Sequence, residues 1–331
     1  MEKVDVLHVD ELSSRQLGQF DAFVCSASYE RRCLSVPCAL REGEVPLGRT
    51  LVVFNGNYED VVRLNLDTLR SLFVGTSDCT IDTGDPVATA IHLHREINEI
   101  CTHVGTPRRI GVDITTFTRE SLLIMLSCLW QVLEQSDEVV LFYCRALEYD
   151  SRHEGSAKWL SRGIREVRSV IGYPGNLRPS RRSHLVVLAG FEDDRALRLI
   201  AEVEPAVVSV GIPDEAGGHA ADHSATADLK MRSIRRVVGD VREFRFNAYD
   251  PYGCFRSVGR EVKRTSGMNT ILAPMNTKIS TVSAGMFAMV EPDVQLCYAQ
   301  AELYNLDAYS EPGKDVYVFC LPLHEGVISG L

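Results

Sequence analysis

The chain has 331 residues, of which 45% are apolar and 24% are charged, a balance typical of a globular protein of about two domains. Its 35 basic and 45 acidic residues give a formal net charge of −10. That charge disfavours a nucleic-acid surface covering the whole fold, but it allows a local basic patch.

The ten cysteines include no C-x-x-C pair, which argues against a zinc ribbon or a thioredoxin-type redox centre. The amino terminus lacks the apolar run of a signal peptide. The longest apolar helical stretch, Leu122 to Leu133, is too short for a bilayer of about 30 Å. We therefore predict a reduced, cytoplasmic protein with no membrane association, no metal site and no cofactor.

Short β-branched segments alternate with longer amphipathic segments, a pattern typical of mostly parallel sheets with helices on both faces. The predicted strands of the first half are Asp21–Ser26, Thr50–Asn55, Cys79–Asp82, Arg109–Ile114 and Glu138–Cys144. The predicted helices there are Tyr58–Phe73, Pro86–Val104 and Thr118–Leu133.

The same alternation continues in the second half. Its predicted strands are His184–Ala189, Ala206–Val210, Glu243–Phe246, Thr270–Ala273, Val294–Ala299 and Val316–Cys320. Its predicted helices are Asp194–Val203, Ala225–Val238 and Ile279–Val290, and Asp214–His223 is a predicted surface loop, either a lid or without function. We therefore predict an α/β protein with two tandem Rossmann-like units, 1–150 and 184–331, joined by a basic linker at 151–183.

The ends of the two halves resemble each other. Residues 139–150 and 294–305 are identical at five of twelve aligned positions, including the pairs Tyr143/Tyr298 and Tyr149/Tyr304. The segments 27–30 and 189–192 also match and precede these ends by nearly equal distances. Two matches in the same order favour an internal duplication, with chance similarity between generic strands as the alternative.

Polar residues follow nearly every predicted strand of the first half. Ligands of parallel sheets bind beyond the carboxyl ends of the strands, where helix N-termini attract anions. We therefore predict that one cleft is lined by Ser28, Glu30, Arg32, Asn55, Asp82, Asp113, Thr116 and Arg119. Glu30 and Asp113 are the candidate catalytic groups, although turn formation, helix capping and a structural ion pair account for the same residue types.

Two strand–helix junctions carry hydroxyl groups and a cation, one at Asp113–Arg119 and one at Pro274–Lys278, where Asn276, Thr277 and Lys278 are candidate ligand-binding residues. These junctions resemble those of CARF-type and SAVED-type Rossmann-like domains, which sense cyclic oligonucleotides in bacterial defence. Those domains often place a Thr/Gly-rich turn and a Lys here, and this chain lacks the paired glycines. The resemblance implies a nucleotide-sensing role.

The segment 151–183 holds eight basic residues and two acidic ones. Arg162, Arg165 and Arg168 have the spacing that places side chains on one helix face, from which they could contact a polyanion or a partner protein. The alternative is a linker helix that pairs with the chain's own acids.

These observations predict a sensor or regulatory protein that binds a nucleotide or another phosphorylated ligand. The alternatives are a nucleotide-processing enzyme, such as a glycosidase or transferase, and a scaffold subunit that docks a partner through the basic segment. No G-x-G-x-x-G or Walker motif is present to decide between them.

Overall fold

The computed structural model describes residues 3–149, 159–190, 193–214, 231, 234–236, 238, 240–307 and 309–323. The chain forms two compact units. The first combines the residues up to 158 with a carboxyl-terminal segment that begins at 306, and the second is formed by residues 159–305.

The first unit contains a seven-stranded sheet with the order β1-β15-β6-β5-β2-β3-β4. Its strands are β1 (Val4–His8), β2 (Phe20–Ser26), β3 (Leu47–Asn55), β4 (Thr76–Ile81), β5 (Arg109–Asp113), β6 (Glu138–Tyr149) and β15 (Ser310–Leu321). Its helices are α1 (Ser14–Leu17), α2 (Ser35–Glu42), α3 (Glu59–Leu72), α4 (Pro86–Thr102) and α5 (Arg119–Val132). Strand β15 is antiparallel to both of its neighbours, and the other paired strands run parallel.

The second unit contains a six-stranded sheet with the order β11-β10-β9-β12-β13-β8 and a two-stranded ribbon. The strands of the large sheet are β8 (Glu166–Ser169), β9 (Ser183–Leu188), β10 (Val207–Pro213), β11 (Arg242–Phe246), β12 (Asn269–Pro274) and β13 (Val294–Gln300). The ribbon pairs β7 (Ser161–Arg162) with β14 (Leu303–Tyr304). The unit's helices include α6 (Asp193–Val203), α7 (Pro251–Lys263) and α8 (Lys278–Val290).

The α/β fold class, with two mostly parallel sheets flanked by helices, is confirmed. Both sheets place their parallel strands in the same succession and add an antiparallel strand after the fifth. Tyr143 and Tyr149 bring their hydroxyl oxygens within 3.4 Å, and Tyr298 and Tyr304 repeat this contact at 3.3 Å. The internal duplication stays a prediction, because a shared strand order can arise without it.

The domain boundaries differ from the expected ones at both ends of the second unit. Strand β15, expected in that unit, joins the first sheet, where Val318 lies opposite Phe142 of β6 and Asp5 of β1. The expected linker 151–183 supplies β7 and β8 to the second unit. Both differences have one cause, since a strand pairs wherever an open sheet edge accepts it, and local sequence does not identify that edge.

Several helix starts follow directly from the sequence. Asp85 and Asp250 accept backbone N–H groups of the turns that begin at Pro86 and Pro251, where the missing proline N–H costs nothing. Thr118 caps α5 in the same way. These caps fix the residues at which the helices begin after the polar loops at the strand ends.

No helix of the described residues is long and apolar enough to cross a bilayer. All ten cysteines are free thiols. Most of the predicted loop 214–223 and of the predicted helix 225–238 lies outside the described residues.

A buried polar chain lies at the amino ends of the second sheet. His184 Nε2 lies 2.8 Å from the hydroxyl of Ser209, which donates to Glu261 at 2.8 Å, and Thr265 Oγ1 lies 2.6 Å from His184 Nδ1. Burial lowers the pKa of His184 to about 4, and the charge of Arg242 acts in the same direction while that of Glu261 opposes it. His184 is therefore neutral in the folded protein at neutral pH.

This pKa predicts how acid affects the stability of the protein. The unfolded histidine binds a proton near its ordinary pKa of about 6.5, so the contribution of His184 is full above that pH and is lost toward pH 4. We expect this loss to be on the order of 3 kcal/mol. In denaturant titrations across this window, His184→Asn should flatten the pH dependence. Ser209→Ala, which keeps the histidine, should retain the slope; equal slopes in wild type and His184→Asn would contradict the assignment.

Candidate functional site

The candidate residues of the first unit follow strands whose carboxyl ends lie at one edge of the sheet. The pairings Ser26 with Val53, Asn55 with Ile81, and Asp113 with Phe142 align these ends. The strand order reverses between β2 and β5, since the chain runs from β2 to β3 and β4 before β5 returns to the other side of β2. Such a reversal is the usual ligand position in open α/β sheets.

Arg32 is the largest side chain buried within this edge, with 2% of its surface exposed. Its Nε and Nη2 donate to Glu30 Oε2 at 3.1 and 2.7 Å, its Nε also contacts the Ser310 hydroxyl at 2.8 Å, and its Nη1 donates to the carbonyl of Cys144 at 3.1 Å. The hydroxyl of Ser310 donates to the same Glu30 oxygen. We call Glu30, Arg32, Ser310 and the Cys144 carbonyl the Arg32 cluster.

The Arg32 cluster joins three elements distant in sequence: the loop after β2, the middle of β6 and the start of β15. Sequence analysis missed Ser310, because nothing near residue 310 indicates that β15 returns to the first sheet. Arg32 also lies over the ring of Tyr149, 5.5 Å from its centroid. Burial lowers the pKa of Arg32, but Glu30, Tyr149 and Tyr143 outweigh it, and the net pKa lies well above its ordinary value. Arg32 therefore stays charged, and the cluster is a buried ion pair that holds the loop.

Asp113 ends β5 next to this cluster, with 2% of its surface exposed. It accepts hydrogen bonds from the backbone N–H of Thr115, at 3.0 Å, and from the Thr115 hydroxyl. Burial raises the pKa of Asp113 to about 7, although these hydrogen bonds and the charge of Arg32 lower it. A carboxyl group with this pKa can exchange a proton near neutral pH.

Three buried thiols, those of Cys25, Cys33 and Cys144, lie close enough to Asp113 for its charge to raise their pKa values. Burial is the main cause in each case, raising the pKa of Cys33 to about 12 and that of Cys144 to about 11. These thiols are therefore protonated at neutral pH, the form that is the weaker nucleophile. Among the described residues, no group of three or more His, Cys, Asp or Glu side chains is placed to hold a metal ion.

Asn55 and Asp82 form a second group beyond the ends of β3 and β4. The amide of Asn55 donates to Thr83 Oγ1 at 2.8 Å, and the amide of Asn57 donates to Asp82 Oδ1 at 2.6 Å. These bonds link the turn after β3 to the turn after β4. Asn55, Asp82 and Thr83 are half-buried and Asn57 is exposed. The hydrogen-bonding atoms of these side chains that make no bond within the protein therefore face solvent.

The other three candidates are Ser28, Thr116 and Arg119. The Thr116 hydroxyl donates to the carbonyl of Ser26 at 2.9 Å, so it ties the loop after β5 to the end of β2. Arg119 is half-buried at the first position of α5. Close by, Tyr29 and Tyr309 pack edge to face with their ring centroids 5.8 Å apart. We call Ser28, Asn55, Asp82, Thr116 and Arg119 the rim.

The structure thus divides the eight candidates of the first unit into two sets. Glu30, Arg32 and Asp113 are buried, and the Arg32 and Asp113 charges influence each other. Of the rim residues, Ser28 is largely buried and the other four are half-buried. The buried set supports the loops, and the rim presents polar groups at the edge.

In the second unit, Asn276, Thr277 and Lys278 stand at the start of α8. Thr277 caps the helix, with the Ser280 N–H donating to its Oγ1 at 3.1 Å, and its hydroxyl donates to the carbonyl of Ala248 at 2.6 Å. The amide of Asn276 donates to the carbonyl of Ala189. These bonds are structural, and they join the loops at the carboxyl edge of this sheet.

The predicted helix bearing Arg162, Arg165 and Arg168 was wrong. Arg162 ends β7, Arg165 precedes β8, and Arg168 lies within β8 opposite Tyr298. Strand side chains alternate between faces, so the three-residue spacing does not align them. Arg162 lies 4.4 Å from the centroid of the Trp159 ring, and Arg168 pairs with Glu166 at 2.8 Å. These segments pair as strands with the open edges of β13 and β14. This pairing prevails over the helical spacing of the arginines in the sequence.

No family model matches this chain, and no curated protein matches it. Among solved structures, the S-adenosylmethionine-dependent methyltransferase SibL in its apo form is 12% identical with a TM-score of 0.21, covering 41% of this chain and 34% of its own. Mitomycin 7-O-methyltransferase MmcR is 11% identical with a TM-score of 0.20, covering 40% and 34% respectively. The matched region thus spans about a third of each methyltransferase, and the likeness carries no inference about activity.

The Arg32 cluster predicts a non-additive effect of substitutions on stability. Arg32→Met leaves the buried Glu30 carboxylate without its counter-charge, so we expect a loss of about 3–5 kcal/mol in unfolding free energy. Removing both charges in Arg32→Met/Glu30→Met should restore more than half of that loss. Urea denaturation of the two single variants and the double variant completes the cycle. A double variant that loses the sum of both single losses would rule out the ion pair.

The raised pKa of Asp113 predicts that its contribution to stability depends on pH in the opposite sense from that of His184. Its folded pKa of about 7 lies above the unfolded value of about 3.9, so the wild type loses stability as pH rises through this window. Asp113→Asn removes the buried charge and keeps an oxygen that accepts from Thr115. We expect this variant to melt several degrees above wild type at about pH 8, with a smaller difference at about pH 5. A pH-independent difference in melting temperature would show that Asp113 is charged throughout.

Proposed function

We propose that the rim of the first unit binds a nucleotide or a related phosphorylated ligand, and that the protein acts as a sensor or regulator through this site. The observation that carries the proposal is the position of the rim at the reversal of strand order between β2 and β5. The Arg32 cluster holds the loop after β2 in place without a ligand. Ligand binding therefore does not have to order that segment.

The chemistry of the rim supports a nucleotide in particular. Arg119, at the first turn of α5, supplies a cation beside backbone N–H groups, a combination that favours phosphate. Asn55 and Asp82 follow the two strands beyond β2, where an acidic side chain binds ribose hydroxyls in dinucleotide-binding folds. Tyr29 and Tyr309 add aromatic rings of the kind on which bases stack.

A nucleotide-processing enzyme is the second candidate, and the near-neutral pKa of Asp113 is the observation in its favour. Glu30 is a weaker catalytic candidate, because one of its oxygens already accepts from Arg32 and Ser310. Product analysis by mass spectrometry, after incubation with each nucleotide that binds, separates an enzyme from a sensor.

We expect calorimetric titration to detect binding by at least one member of a panel of AMP, ATP, GTP, a cyclic dinucleotide and inorganic phosphate. The cyclic dinucleotide follows from the resemblance to CARF-type and SAVED-type domains. Arg119→Ala should weaken that binding at least fivefold, because a charge-assisted contact to phosphate contributes about 1.5–3 kcal/mol.

Arg49→Ala is the matched control, since Arg49 is an exposed arginine in the amino-terminal half of β3, away from the rim. It should leave the affinity unchanged. The proposal fails if no member of the panel binds, or if Arg49→Ala and Arg119→Ala weaken binding equally.

A further inference from the structure

The second unit carries a basic surface that the proposed function does not use. It combines the exposed side of α7 with the loop that precedes β9. Its members are Arg178, Arg181, Arg182, Arg256, Arg260, Lys263 and Arg264, all exposed except the half-buried Arg181. We call these seven residues the basic surface.

Hydrogen bonds place the loop and the helix side by side. The Asn269 side chain donates to the carbonyls of Arg178 and Arg181 at 2.7 and 3.0 Å, and its backbone N–H donates to the carbonyl of Arg182 at 2.9 Å. Asn269 begins β12, a few residues after the end of α7. The loop arginines therefore lie at the same amino-terminal edge of the sheet as the last turn of α7.

The cations of α7 share one face of the helix. Residues 256, 260, 263 and 264 recur at the spacing of neighbouring turns and extend over about 12 Å of helix axis. The buried chain described above fixes this end of α7, since Glu261 binds Ser209 and also accepts from Arg264 Nη1 at 3.0 Å. The opposite face of α7, with Tyr252, Phe255 and Val258, is buried.

Acidic residues are scarce in the segments that carry these cations. The stretches 167–191 and 251–290 contain one acidic residue between them, Glu261, and its exposed fraction is 1%. Arg178, Arg182 and Lys263 form no ion pair within the part of the chain that the structure describes. An attraction between helix C-termini and cations explains basic residues in the last turn of α7, but it does not explain the three arginines of the loop.

We propose that the basic surface binds the phosphate backbone of a nucleic-acid duplex. Six of its seven cations are arginines, whose planar guanidinium group forms paired hydrogen bonds to phosphate. A membrane surface fits less well, because membrane-binding helices insert an apolar face and that of α7 is buried. The net charge of −10 repels polyanions at long range, so binding is of modest affinity and requires low salt.

The test measures the affinity of the full chain for short DNA and RNA duplexes by fluorescence anisotropy between about 50 and 200 mM salt. Polyglutamate and phosphatidylserine vesicles are parallel probes. We expect duplex binding whose affinity falls steeply with salt. Arg182→Ala/Lys263→Ala should weaken it about tenfold at the lowest salt and reduce the slope of log K against log salt by about two. Arg178→Ala/Arg182→Ala, confined to the loop, is a second variant with the same expectation.

Arg41→Ala/Arg49→Ala removes two exposed cations of the first unit and should leave duplex binding unchanged. Melting temperatures of all variants verify that they fold. Three results would overturn the proposal: no duplex binding at the lowest salt, equal weakening by the control variant, or tighter binding to polyglutamate or vesicles than to duplex. Nucleotide binding at the rim is measured separately with Arg119→Ala, so either proposal can fail alone.

Discussion

The buried ion pair between Arg32 and Glu30 determines the shape of the candidate site. A charge inside a protein is tolerated only when hydrogen bonds and a counter-charge replace water, and Arg32 obtains them from three segments at once. Its contacts with Glu30, Ser310 and the Cys144 carbonyl make the loop after β2 depend on β6 and on β15. Of the rim residues, Ser28 lies on that loop, so its position depends on a strand almost three hundred residues away in sequence.

The second unit also buries an arginine, Arg195. This arginine is buried, contacts the Ser161 hydroxyl at 3.4 Å, donates to the carbonyl of Ala299 and lies 5.8 Å from the centroid of the Tyr298 ring. Ala299 is the residue that aligns with Cys144 in the comparison of the two halves. In both units a buried arginine after the first central strand therefore holds the fifth parallel strand through a backbone carbonyl. A common constraint of this kind accounts for the similar segments, whether they arose by duplication or by convergence.

Sequence reasoning predicted what depends on local pattern. The parallel strands were found because runs such as Thr50–Asn55 are apolar and β-branched, and the polar residues after them were placed at one edge because parallel strands share a direction. It did not predict which strands pair, since β15 and β8 enter their sheets through long-range contacts. Helix α7 was missed although Asp250 and Pro251 give a clear start, because Gly253, Gly259 and three cations obscure its apolar face.

In the candidate site, too, local pattern predicted only part of what the structure shows. Residue types at strand ends identified the rim residues and, within the Arg32 cluster, Glu30 and Arg32, but they could not separate the two sets, because burial decides the role of each. Glu30 and Asp113 are both carboxyl groups after a strand, yet Glu30 has a cation beside it and Asp113 has mainly hydrogen bonds from Thr115. Burial outweighs those hydrogen bonds and moves the pKa of Asp113 toward neutrality.

The two units also differ in where they leave charge uncompensated. In the first, Arg32 is neutralised inside the protein, and polar groups of mixed type remain at the carboxyl edge. In the second, Arg178, Arg182 and Lys263 of the basic surface are exposed and form no ion pair among the described residues, and Glu261 is turned inward to bind Ser209 and Arg264. Burying the acid while exposing the cations has an electrostatic cost for folding, because like charges lie together on α7 and the loop. A ligand that supplies negative charge removes this cost, which is the physical reason to expect a polyanion on that surface.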